Sequence, residues 1–198
     1  MPGHSGAMNT APVDWNHELV EQITFHRSAL WERRLAGLTD EEYFYSPVPG
    51  AWSVHPRGKS TAPVQAGAGD FTIDFAIPEP DPAPFTTIAW RLGHVIVGVL
   101  AARNAAHFGA PEASYQSWAY AGTAAEALEQ FNTQLDIWLD GVRSLGAEGL
   151  AVPVGEAEPY PEAAMAVLVL HIHRELIHHM SEVCLLRDLY LHTHGGTR

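Results

Sequence analysis

Cysteine is almost absent: Cys184 is the single one in 198 residues. No internal disulfide can form, and a zinc site built on several thiolates is excluded. Long apolar runs are missing as well. The stretch from Ala163 to Leu170 is far short of the roughly 18 residues that a membrane-spanning helix needs. Met1 to Thr10 has neither a basic start nor an apolar core, so residues 1–13 are expected to be a flexible tail rather than a targeting signal. Positive charge is scarce: 11 Lys and Arg stand against 23 Asp and Glu, a formal net charge of −12. Such a surface repels phosphate backbones and anionic lipid, which argues against nucleic-acid and membrane partners. There is no phosphate-binding glycine loop, no Gly-x-Ser-x-Gly elbow and no Cys/His catalytic spacing. Together these absences predict a cytoplasmic, single-domain protein, and 46% hydrophobic residues suffice for a core.

What the chain does have is histidine, twelve in all. His171, His173, His178, His179 and His192 fall in the last segment. Helical periodicity appears four times. Asp14 caps a first helix to Gly37, with Leu19, Ile23, Leu30, Trp31 and Leu35 as its apolar stripe. A second runs from Thr86 or Thr87 to about His107. A third runs from about Thr123 to Leu145, carrying Phe131, Leu135, Trp138, Leu139 and Val142. A fourth starts near Pro161 and reaches about Leu191, before Gly195-Gly196. The expected fold class is therefore all-α, a four-helix bundle over residues 14–192 with a flexible tail at 193–198. Its long first link, residues 38–83, has room for a short hairpin, because Phe71-Thr72-Ile73-Asp74-Phe75 alternates apolar and polar. That link is expected to cap one end of the bundle. Trp15, Trp31, Trp118 and Trp138 are read as packing residues.

On a helical wheel His171, Glu175, His178, His179 and Glu182 all fall within about 80° of His171. Extending that stripe reaches Ala164, Val167 and Leu168 on one side and Leu185, Leu186 and Leu189 on the other. An apolar seam is thus expected to be interrupted by ionisable groups, which cost several kcal/mol if buried without a partner. Imidazole and carboxylate together suit Zn, Ni, Fe or Mn as a divalent ion. One helix rarely supplies every ligand, and His94, amid apolar residues on the second helix, is the candidate from elsewhere; Gly93 and Gly98 would let a neighbouring helix approach it. A solvated face, or pairing of Glu175 with Arg174 or Arg91, accounts for the same residues without a metal. His17, His26, His55 and His107 are read as ordinary surface or core histidines, and Cys184 as small core filler.

Three segments resemble the DinB-like (damage-inducible B) superfamily of four-helix bundles: Gly50-Ala51-Trp52-Ser53-Val54; His94 after Ile88-Ala89-Trp90-Arg91-Leu92-Gly93; and Arg174-Glu175-Leu176-Ile177-His178-His179-Met180-Ser181-Glu182. The last looks like the family's His-x-x-His-His-x-x-Gln run. The resemblance implies a divalent metal held by one histidine of the second helix and two, four residues apart, on the last. By position these are His94, Glu175 and His179, with Glu175 standing where the family usually has histidine; His171 or His178 could substitute. It also implies a low-molecular-weight thiol, such as mycothiol or bacillithiol, as cosubstrate for transfer or isomerisation, with His178 or Glu182 supporting a ligand or moving a proton, and a homodimer. Metal-dependent hydrolysis at the same site and a non-catalytic bundle with a polar network remain as alternatives.

Overall fold

The structure, a computed structural model, describes residues 12–194. The expected tails at residues 1–11 and 195–198 lie outside the described residues. The described chain is mainly helical with one small sheet. Helix α1, residues 15–35, comprises Trp15–His26, a π-helical turn Arg27–Trp31, and Glu32–Leu35. Asp14 caps it by accepting the His17 N–H at 3.1 Å. The wider π turn shifts the apolar stripe, so Trp31 and Leu35 are buried while Leu30, expected inside, is exposed. Trp15, expected to pack, is exposed too, standing at the first residue of the helix.

A short helix α2, Asp40–Tyr43, follows. The long link then forms a three-stranded antiparallel sheet rather than a single hairpin: β1 Val54–Pro56, β2 Val64–Ala66 and β3 Phe71–Phe75, in the order β1-β3-β2. The alternation in β3 misleads about exposure, since Thr72 and Asp74 are buried along with Ile73. Asp74 is tolerable there because Ser53 N donates to it at 2.9 Å and His55 Nε2 lies 3.0 Å away. The sheet is tied to the next helix through backbone bonds from Trp52 N to Phe85 O and from Thr87 N to Trp52 O, at 2.8 and 2.9 Å.

Helix α3, residues 88–108, contains Ile88–His94, a π-helical stretch Val95–Ala101, and Ala102–Phe108. Helix α4, Ala124–Ala151, breaks at Gly146 (φ 58°), one residue past its expected end. Helix α5, Met165–His194, starts four residues later than Pro161. The backbone explains the delay: Val154 N bonds Ala163 O and Met165 N bonds Val152 O, so residues 152–165 close on themselves before the helix begins. At the other end α5 continues through residues 193 and 194, which had been assigned to the tail. The four long helices pack so that α4 and α5 each touch both α1 and α3. No helix among the described residues is long and apolar enough to cross a membrane.

The buried stripe of α5 is Leu168, Val169, Ile172, His173, Leu176, Met180, Val183, Cys184 and Leu186. Val167, Leu185 and Leu189, expected inside, are exposed. His171, Glu175, His178, His179 and Glu182 therefore flank the core, and His173 is the histidine of α5 inside it.

Candidate metal centre

His94 sits on α3 with its ring parallel to Trp90, one turn earlier (centroids 5.4 Å apart, 13° between planes). Trp90 is itself fixed, its Nε1–H donating to Asp74 O at 2.8 Å. On the other side of the ring, His94 Nδ1 lies 2.7 Å from the Tyr115 hydroxyl. Tyr115 reaches that position across Gly98, where a Cβ would overlap its hydroxyl and ring. Gly93 meets Ile73 of the sheet. The two glycines thus admit a loop tyrosine and a strand residue, not the neighbouring helix that was expected. Burial, reinforced by His179, pushes the His94 imidazolium down to about 4, so the ring is neutral at physiological pH. Among the described residues its Nε2 has no hydrogen-bond partner.

His179 on α5 faces it, with ring centroids 4.8 Å apart and planes 82° from parallel. Its Nδ1 lies 2.9 Å from Glu182 Oε2, and Glu182 also pairs with Arg91 of α3. With a carboxylate as its acceptor Nδ1 is the donor, and Nε2 is the ring nitrogen left for another partner. The His179 Nε2 is 3.6 Å from Glu175 Oε2. Glu175 is further flanked by Arg174 at 3.5 Å and His171 at 3.6 Å. Both carboxylates are half-buried and paired, Glu182 with Arg91 rather than Glu175. Charge compensation alone therefore does not demand a cation here, as the helical wheel had suggested it would.

The structure brings His94, Glu175 and His179 to one place and leaves His178 outside it. His178 is 62% exposed, with Nε2 3.5 Å from Glu182 Oε1. Among the described residues, His178, His179 and Glu182 offer ligand atoms that all lie within 4.8 Å of one another. His173 faces the core instead, where Trp138 Nε1–H donates to its Nε2 at 3.1 Å. Cys184 is buried, which raises its thiol pKa and fits core filler. His94 and Glu175 line a cleft of about 520 Å³, together with Tyr115, Arg103 and His171.

Several partners escaped sequence reasoning. Tyr115 lies in a loop with no periodicity. The Arg91–Glu182 pair joins residues far apart in the chain. Only Trp90, four residues before His94, carried a readable signal. The π-helical stretch that begins at Val95, directly after His94, is of a kind often found at functional positions.

A family model of the DinB superfamily matches residues 63–183, which include α3, α4 and the part of α5 bearing these residues. No curated protein and no solved structure matches the chain.

Proposed function

The chain belongs to the DinB superfamily, and on that premise we propose that its four long helices form a four-helix bundle that holds one divalent metal ion. The ligands are His94, Glu175 and His179, and the protein is an enzyme of small molecules, a thiol S-transferase or isomerase using a low-molecular-weight thiol. One observation carries this reading: imidazoles from α3 and α5 stand 4.8 Å apart, beside a cleft lined by His94 and Glu175.

The donor set fits such an ion. His94 is neutral, and both rings have Nδ1 engaged, by Tyr115 and by Glu182, which leaves Nε2 of each as the ligating atom. Two imidazoles and a carboxylate suit Zn, Ni, Fe or Mn and leave coordination positions open. When bound, the ion supplies a positive charge that favours the thiolate form of a thiol at neutral pH. The chain's own residues do the rest. Glu182, held by Arg91, orients His179. Trp90 stacks on His94 and the Tyr115 hydroxyl holds its Nδ1. His178, beside Glu182 and open to water, exchanges protons with solvent. The cleft holds the second reactant beside the thiol, where proximity contributes to rate.

A second ligand set, His178, His179 and Glu182, is favoured by the closeness of their ligand atoms. It requires Glu182 to leave Arg91. Hydrolysis would use the same centre, and a non-catalytic network is supported by the Arg91–Glu182–His179 chain, which satisfies its own charges. Metal-loaded protein is to be assayed with panels of thiols plus electrophiles and of hydrolysable esters. Thiol consumption that disappears in His94→Ala supports transfer; turnover of esters alone, or of nothing, rejects it.

A further inference from the structure

Beside the cleft lies a second cavity of about 530 Å³, and both have Arg103 and His171 in their walls. Beyond that pair its lining is mostly apolar: Val154 and Ala163 from the connector between α4 and α5, and Val167, Leu168 and Leu170 from α5. Val167 and Leu170 are 56% and 55% exposed. They are exposed among the described residues and lie close in sequence to His171, which the cavity shares with the candidate reaction site. Neighbouring large apolar side chains left open to a cavity mark a surface that gains from an apolar occupant.

The wall opposite α5 is a built one. The connector is pinned to itself by the bond from Val154 N to Ala163 O at 2.9 Å. It is pinned to α3 by the buried Glu158, whose Oε1 lies 3.1 Å from His107 Nε2 and 3.4 Å from Arg103 Nε. Arg103 also donates to Gly98 O at 2.6 Å. Its charge is thus answered by Glu158, so the junction between the cavities places no demand for an anion on what crosses it. The volume is within the range of about 300–1,000 Å³ typical of small-molecule sites.

We propose that this cavity seats an alkyl or aryl group, the apolar body of a substrate whose reacting end lies by His94, Glu175 and His179. The inference deepens the proposed function and rests on the cleft being the reaction site. It assigns Val167 and Leu170 as specificity-determining residues that make no contact with the reacting atoms.

The test uses straight-chain primary alcohols, 1-butanol to 1-octanol, titrated into isotopically labelled full-length protein stripped of metal and followed by NMR. Saturable binding is expected, tightening roughly three- to fourfold per methylene, with amide shifts centred on residues 163–171. Val167→Glu and Leu170→Glu, both at exposed positions, should each weaken 1-octanol at least tenfold. Leu185→Glu, at another exposed position further along α5, should leave it within twofold. No saturable binding, affinity independent of chain length, or an equal loss in Leu185→Glu overturns the inference. So does a dimer-to-monomer change in Val167→Glu without alcohol binding to the wild type, which would make the face a contact between copies. Metal content, measured on reloaded samples of the same preparations, separates the two claims. A centre that loads metal while no alcohol binds overturns this inference alone. Chain-length-dependent binding in a protein that takes no metal rejects the reaction site and upholds the cavity.

Discussion

Gly98 and the Tyr115 hydroxyl share one small volume: a Cβ on residue 98 would overlap the phenol that hydrogen-bonds His94. Gly98→Ala should therefore expel Tyr115 from its place against His94. The misfit should cost about 1–3 kcal/mol of stability and, with His94 no longer held, weaken metal binding by about 10–100-fold. Tyr115→Phe should weaken metal similarly but destabilise by only about 1 kcal/mol. Urea unfolding and metal titration of both variants are the measurements.

Glu182 accepts a hydrogen bond from His179 Nδ1–H and is itself held by Arg91. Glu182→Gln should lower metal affinity about 10–100-fold while the helical content stays unchanged. If Glu182 is instead a ligand together with His178, then His178→Ala should abolish metal binding and His94→Ala should spare it. Competition with a chromophoric chelator reads both.

Metal should also stabilise the fold, since it binds the native arrangement of α3 and α5. At about 100 times Kd the gain is about 2.7 kcal/mol, a rise in Tm of roughly 5–10 °C for a chain of this size. Chelator should remove that rise from the wild type and change nothing in His94→Ala or Glu175→Ala. A network that needs no metal would show no response to chelator in any of them.

His173 provides a pH test that is separate from the cleft. Burial pushes its pKa down to about 4, and its Nε2 accepts the Trp138 indole N–H, which a protonated ring could not do. The unfolded chain protonates near 6.5, so the unfolded state binds more protons below that pH. The stability from keeping this ring neutral is intact above pH 6.5 and drains away as pH falls toward 4, on the order of 3 kcal/mol in all. The stability difference between wild type and His173→Gln should shrink across that window in urea unfolding. A difference constant from pH 7 to 4 would contradict it.

Helices α1 and α4 were legible because their caps and stripes are local: Asp14 with His17, and Phe131, Leu135, Trp138 and Val142 at helical spacing. The sheet was not, beyond Phe71–Phe75, because β1 and β2 are three residues each and take their order from non-local pairing. On α5 large apolar residues occur on several faces, so Val167, Leu185 and Leu189 drew the expected seam toward the polar side. His179 as the partner of His94 was implied by the family resemblance; that His94 meets the polar cluster of α5 followed from its place on an apolar-rich helix. What holds each ring did not: Tyr115 and Arg91 act across distances in sequence that no spacing encodes. The carboxylates proved half-buried and paired, which moves the weight of the metal reading from charge compensation to convergence of the two imidazoles.

The most direct measurement is elemental analysis of the protein purified without an affinity tag, beside His94→Ala and His179→Ala. About one mole of a single divalent metal per mole of wild-type chain, falling to near zero in both folded variants, is the expected result. No metal in the wild type even after incubation with Zn, Ni, Fe and Mn, or full occupancy in His94→Ala, would contradict a centre shared between α3 and α5.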